Sequence, residues 1–210
     1  MENHEHSTPR PFELIAGHVA LDLVNTLDER FRENGPEERL SSYEDLLRFT
    51  TQSELLSERQ ARKLKRADTS QTERTQILNQ VRELRETLAD VAYAQLDGKE
   101  ASEQSLAALE AFFKQAASHR SLAVDNLQVT WSWSGLGRQA AAPLWLLAQA
   151  AADLLLSEDA TQLRCCASDT CRWLFLDTSK NRTRRWCDMK VCGNRMKARR
   201  FQARVATQSQ

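Results

Sequence analysis

Cys166-Ala-Ser-Asp-Thr-Cys171 and Cys187-Asp-Met-Lys-Val-Cys192 are two C-x4-C pairs with the same internal spacing, separated by fifteen residues. Four thiolates grouped in this way are what a closed tetrahedral Zn2+ site requires. Such a site keeps no position open for water, so its role is structural. Around the pairs the chain reads as short elements about turns. Trp173–Leu176 has the composition of a strand, residues 177–183 form a polar turn, and Arg185–Cys187 supplies a return strand. A segment of this size buries too little apolar surface to offset its own ordering entropy, so metal is what makes it fold. Every residue after Gly193 tolerates a helix, which predicts a small zinc-binding β-hairpin/helix module of treble-clef-like layout.

All five cysteines lie between 165 and 192, a clustering that in a reducing compartment points to metal rather than disulfides. Choosing Cys166 as first ligand gives two equal gaps and leaves Cys165 as a spare thiol, with ligand exchange or redox sensing as the alternative.

A formal net charge of +0 conceals two halves of opposite sign. Leu163 to Arg204 holds 12 of the 29 basic and 3 of the 29 acidic residues, a net of +9, so the remainder carries −9. Four thiolates around one Zn2+ contribute −2 and consume part of that surplus. What remains suits phosphate contacts, and Asn194 with the nearby tryptophans Trp173 and Trp186 suits base-edge or stacking contacts. The candidate nucleic-acid-binding residues are Lys180, Arg182, Arg184, Arg185, Asn194, Arg195, Arg199 and Arg200. DNA is the favoured partner. RNA binding, or a zinc-stabilised protein-interaction adaptor without DNA specificity, is the alternative, since basic runs are often only solvated faces.

The first 160 residues read as mainly α. Ser41 or Ser42 caps a segment holding Leu46, Leu47 and Phe49, and Ser53-Glu54 opens the next. Thr72 precedes a long pattern through Ile77, Val81, Leu84, Leu88 and Val91 that stops at Asp97-Gly98. Further helices start near Ser102 and span residues 140–156. Between them, residues 127–133 alternate with period two, the one convincing strand. The expectation is an N-terminal helical bundle, residues 1–160, carrying a short β strand or hairpin, joined to the zinc module at 161–210.

If Gly17 precedes a helix, His18, Asp22 and Asn25 fall on one face among apolar neighbours. One reading is a pocket for a small-molecule effector, completed by Trp131 and Trp133, which share a strand face. The favoured reading is a set of internal hydrogen bonds and caps that fix helix packing.

The stretch from Trp173-Leu-Phe-Leu-Asp177 through Ser179-Lys-Asn-Arg-Thr-Arg-Arg-Trp-Cys187 to Cys192-Gly-Asn-Arg195 resembles the CGNR zinc finger. Upstream, residues 12–26, with Gly17, His18, Asp22, Asn25 and Thr26, resemble the opening of the ABATE domain, which precedes that finger in a bacterial family of stress-induced transcription regulators. The resemblance implies a helical regulatory domain, acting as sensor or oligomerisation domain, and a zinc-dependent DNA-binding domain with Cys166, Cys171, Cys187 and Cys192 as ligands. Cys165 departs from it, standing where such fingers often have a basic residue.

The sequence carries no phosphate loop, nucleophile elbow or His/Glu helix motif, so no enzyme is expected. The first dozen residues include His4 and His6 and have acid and proline where a secretory signal needs charge and an apolar run. The most apolar stretch, residues 139–156, is interrupted by Pro143, Gln149 and Asp153, which predicts a buried helix, no membrane and a cytoplasmic location. A homo-oligomer is compatible with all of this.

Overall fold

A computed structural model describes residues 10–208, without the side chains of Arg200 and of residues 203–208. His4 and His6 lie outside the described residues.

The helices begin where short polar side chains can satisfy free backbone N–H groups. Helix α1 (Val19–Val24) is capped by His18, whose Nδ1 accepts from the Ala20 N–H. Two short strands, β1 (Leu27–Asp28) and β2 (Glu37–Glu38), follow as an antiparallel pair. Helix α2 (Tyr43–Gln52) starts on a Ser42–Asp45 capping box. The expected cap at Ser53 is instead the end of α2; α3 (Glu58–Arg66) opens on a second capping box, Ser57–Gln60. The longest helix, α4 (Gln71–Leu96), starts at Ser70 and ends at Asp97, with Gly98 at φ +67° closing the turn. Helix α5 (Glu103–Ala117) is capped by Ser102 as its sequence predicts.

Strands β3 (Arg120–Asp125) and β4 (Gln128–Trp133) form an antiparallel hairpin before α6 (Ala142–Leu155). Helix α6 is buried almost all round and packs against α1, α2, α4 and α5, which makes it the axis of the bundle. It has no side-chain cap. Pro143 occupies its first turn, and Tyr43 Oη donates to the Ala140 carbonyl at 2.8 Å just before it. None of the described helices is long and apolar enough to cross a membrane.

After a short 3-10 turn come β5 (Leu163–Cys165), β6 (Leu174–Leu176), a π-turn (Met189–Gly193) and α7 (Asn194–Gln208). The partner of β6 is β5, upstream. The expected return strand at Arg185–Cys187 does not form, although Ala167 N–H reaches the Arg185 carbonyl at 2.9 Å. The buried core runs without interruption from Phe12 through α6 to Phe175, Cys187 and Cys192.

One charged side chain is sealed inside the bundle. Arg85 on α4, 3% exposed, donates to both oxygens of Glu38 at 2.8 and 2.7 Å, to Glu86 at 2.7 Å and to Thr26 Oγ1 at 3.1 Å. Desolvation opposes its charge, but the two carboxylates more than offset that and hold it protonated. It fastens β2 and the end of α1 to α4. Removing one partner of such a cluster strands the others, so Arg85→Ala is expected to lower stability by about 3–5 kcal/mol in urea denaturation. Arg62→Ala, whose partner Glu58 is equally solvent-exposed, should change it by under about 0.5 kcal/mol.

Candidate metal centre

The four sulfur atoms of Cys166, Cys171, Cys187 and Cys192 lie within 4.8 Å of one another, and all four residues are buried. Cys171 Sγ is 3.6 Å from Cys187 Sγ, which is 3.6 Å from Cys192 Sγ. A zinc–sulfur distance of about 2.3 Å sets the edge of a thiolate tetrahedron at about 3.8 Å, whereas a disulfide needs about 2.05 Å. The cage therefore has the size of a Zn2+ tetrahedron, and all of its cysteines are free of disulfides.

Each ligand is held by its own backbone device. Cys166 directly follows β5, and its N–H donates to the Trp173 carbonyl at 2.8 Å, closing the loop that carries Cys171. Asp177, fully buried, accepts from the N–H groups of Ser179 and Arg184 at 3.1 and 2.8 Å and from Ser179 Oγ at 2.5 Å, which folds the polar turn back toward Cys187. Arg184 lies over the Phe175 ring and donates to the carbonyls of Trp186 and Cys187. Cys192 sits in the π-turn, whose start is capped by Asp188 accepting from Val191 N–H at 2.8 Å. The next residue is tightly surrounded: a Cβ on Gly193 would meet Met189 Sδ at 2.5 Å and Trp186 Cδ1 at 3.3 Å, so the Met189 side chain would have to move aside.

The thiols share their protons. Hydrogen bonds from Cys171 and Cys187 draw Cys166 well below the ordinary thiol range; the same bonds push Cys171 up, the bond with Cys166 raises Cys187, and burial raises Cys192. A cation that takes all four as thiolates displaces the remaining protons. Cys165 stands apart. Burial raises it to about 11, and its Sγ donates to the Arg172 carbonyl at 3.2 Å. It is the one cysteine outside the four-sulfur cluster.

The cage is clamped to the helical bundle by the polar stripe of α1. Asn25 Nδ2 donates to the Leu174 carbonyl and Leu174 N–H donates to Asn25 Oδ1, both at 2.9 Å. Leu176 N–H donates to the Ala16 carbonyl at 2.8 Å, and Gly17, at φ +83°, lets the two chains approach with Leu176 Cβ only 3.5 Å from where its own Cβ would stand. Trp173 Nε1 donates to Asp28, Tyr93 Oη to the Arg172 carbonyl (both 2.8 Å), and Arg195 pairs with Glu29 at 3.1 Å.

The internal-bond reading of His18, Asp22 and Asn25 therefore describes their geometry. Asp22 accepts from Ala16 N–H at 2.9 Å, and burial lowers His18, keeping its imidazole neutral as its acceptor role at the cap requires. His18 and Asp22 also line a shallow depression of about 300 Å³ beside Gln52 and Glu54. Trp131 and Trp133 are not part of it. They lie on β4 beneath the Arg120 guanidinium, on a hairpin that α1 does not touch substantially.

The candidate cations also divide. Arg184 and Arg195 are engaged by the Cys187 loop and by Glu29, and neither role is visible without knowing what lies across from them. Lys180, Arg182, Arg185, Asn194 and Arg199 are exposed. The side chain of Arg200 lies outside the described residues. Lys190 and Lys197, which the sequence reading passes over, are exposed on the same π-turn and helix.

Two outcomes follow for measurement. Burial raises Asp22 to about 6 from 3.8, against the pull of the Ala16 and Ile15 N–H groups. The folded carboxyl thus holds its proton more tightly than the unfolded one. Its stabilising contribution is complete below pH 3.8 and is lost as pH rises through about 6. The difference in unfolding free energy between wild type and Asp22→Asn should change by about 2–3 kcal/mol between pH 4 and 7, in favour of the amide variant at the higher pH. For the cage, purified protein should carry one zinc per chain, and Cys165→Ala should retain it. Chelation should expose the amides of 163–195 to hydrogen exchange and lower the melting temperature by about 10 °C or more.

The comparisons with known proteins agree with this geometry. A family model described as "Putative stress-induced transcription regulator", ABATE, matches residues 17–158. The CGNR zinc finger model matches residues 162–205, which contain all four ligands, and zinc is the metal that the cage fits. No curated protein matches the chain. With most of its length matched by the first model and nearly all of the rest by the second, the chain belongs to the ABATE family and ends in a CGNR zinc finger.

Proposed function

We propose that this protein is a cytoplasmic, zinc-dependent, DNA-binding transcription regulator of the stress response, in which residues 161–210 grip DNA and residues 1–160 govern that grip. The observation that carries the reading is the set of cations left over once the structure has claimed its own. Lys180, Arg182, Arg185, Lys190, Lys197 and Arg199 are all exposed, and none forms an ion pair among the described residues. They sit on the turn, the π-turn and the first turns of α7, elements whose positions the zinc cage fixes. Rigid placement of several cations about one metal lets successive phosphates be met without the separate entropic cost of ordering each side chain's backbone. Asn194, exposed at the start of α7, is the polar side chain placed for a base edge.

With no open coordination position on the cage, the zinc organises and does not react. The family descriptions, a regulator and a zinc finger, name no enzyme. An effector site is best sought at the depression formed by His18, Asp22, Gln52 and Glu54, because Asn25 on the same short helix holds the finger's strand β6 directly.

Titration of the zinc-loaded chain against random-sequence duplex DNA tests the proposal. With about five phosphate contacts, log K should fall with log salt at a slope near −4.5. Arg182→Ala, Arg185→Ala and Arg199→Ala together should flatten that slope by about 3 and weaken binding uniformly across sequences. A chain that shows no salt-dependent binding to DNA, or whose binding ignores the triple substitution, does not use this surface for DNA.

A further inference from the structure

The β3–β4 hairpin turns its apolar side to water. Its register sets Leu122 opposite Trp131 and Val124 opposite Val129, so these four share one face of the ribbon. They are 66%, 61%, 73% and 68% exposed in that order. The other face carries Ser121, Thr130, Ser132 and Asp125. A globular protein ordinarily turns such an amphipathic ribbon the other way; here the ribbon meets the rest of the molecule at its base, through Trp133, packed against the core, and Arg120, bonded to Gln149 of α6.

The tip points the same way. Asn126 and Leu127 form a two-residue turn with φ of +47° and +67°, and the second of these positions favours glycine. Leucine there is strained, and it is 98% exposed. Exposure of its apolar side chain is unfavourable until something apolar covers it.

The face is also almost uncharged. Its one charge is Arg120 at the base, held 4.5 Å over the Trp131 ring and donating to Gln149 Oε1 at 2.9 Å. An acidic partner therefore finds only this one cation, already bonded to Gln149, and a basic partner finds no carboxylate, whereas a second copy of the same face meets it over uncharged apolar surface. Leu122, Val124, Leu127, Val129 and Trp131 are each at least 61% exposed, so a second copy of the face covers most of their apolar surface at once, as the core of a specific interface requires. A lone two-stranded ribbon is marginal in water; two of them face to face make a four-stranded sandwich.

We propose that the β3–β4 hairpin is a dimerisation arm, packing the Leu122/Val124/Val129/Trp131 face and the Leu127 tip against the same surface of a second copy of this chain about a twofold axis. The arm stands apart from the zinc cage, so its test does not depend on nucleic-acid binding.

Sedimentation velocity on the zinc-loaded full chain, from about 1 to 100 µM, should give a species of twice the 24.0 kDa chain mass. Leu122→Asp with Val129→Asp should raise the dissociation constant at least about 100-fold and yield monomer. Ser121→Asp with Thr130→Asp, on the polar face, should leave the dimer intact. Circular dichroism and zinc content establish that both variants are folded, which exposed positions favour. A wild-type chain that stays monomeric at the highest concentration overturns the proposal, as does a Leu122→Asp/Val129→Asp chain that remains dimeric. A monomer that co-floats with phosphatidylcholine vesicles overturns it too, and would assign the ribbon to a lipid surface.

Discussion

Strand β6 is the constraint on which the two parts of this molecule depend. Leu174, Phe175 and Leu176 are buried. Along one edge they pair with β5, which leads straight to Cys166; along the other, Leu174 is held through both backbone groups by Asn25, and Leu176 by Ala16. Cys171 lies three residues upstream. The strand thus belongs at once to the zinc module and to the bundle. Because one core runs through both, metal binding stabilises more than the segment it touches, and the linkage must act in both directions. A change at α1 that altered the Asn25 clamp would alter the strand next to the cage.

Charge is distributed by the same logic. The excess of cations between 163 and 204 reads from composition as one basic patch. In the fold it separates into cations that build the module and cations that project from it. Arg184 donates to the carbonyls around Cys187 and lies over Phe175, and Arg195 is paired with Glu29. The exposed remainder rides on segments whose course is fixed by Asp177 and Asp188, two of the three acidic residues of that stretch. These two carboxylates accept backbone N–H groups; they do not cancel the exposed cations.

What the sequence made legible is what is local. Two equal cysteine gaps suffice to identify the cage, because a tetrahedron of thiolates needs ligands in knuckle-spaced pairs. Ser42, Ser102 and Asp97-Gly98 mark helix ends through contacts made within four residues. Ser53 misleads because a serine before a glutamate satisfies the same pattern as a cap, while the stronger signal, Ser57 with Gln60, lies four residues on. The finger's hairpin escapes a local reading because β5 is only three residues long and its pairing with β6 is decided by Asn25 and Ala16, about 150 residues away. Arg85 looks like any charged helix residue; only the arrival of Glu38 makes it a buried post. The outward-facing ribbon shows the same limit from the other side. Period two announces a strand, but not which way its apolar face will turn.

The contacts between bundle and finger are not of equal strength, and their order matters. Asn25 with Leu174 is buried and bonded twice, so breaking it leaves polar groups without water or partner. Arg195 with Glu29 is different: its side chains are 39% and 23% exposed, and a pair so placed contributes at most about 1 kcal/mol. Residues 25–29 therefore hold the finger by a buried, doubly bonded contact at one end and a partly exposed ion pair at the other. The arginine of that pair belongs to Cys192-Gly193-Asn194-Arg195, which places the more exposed of these two contacts on the motif that begins α7.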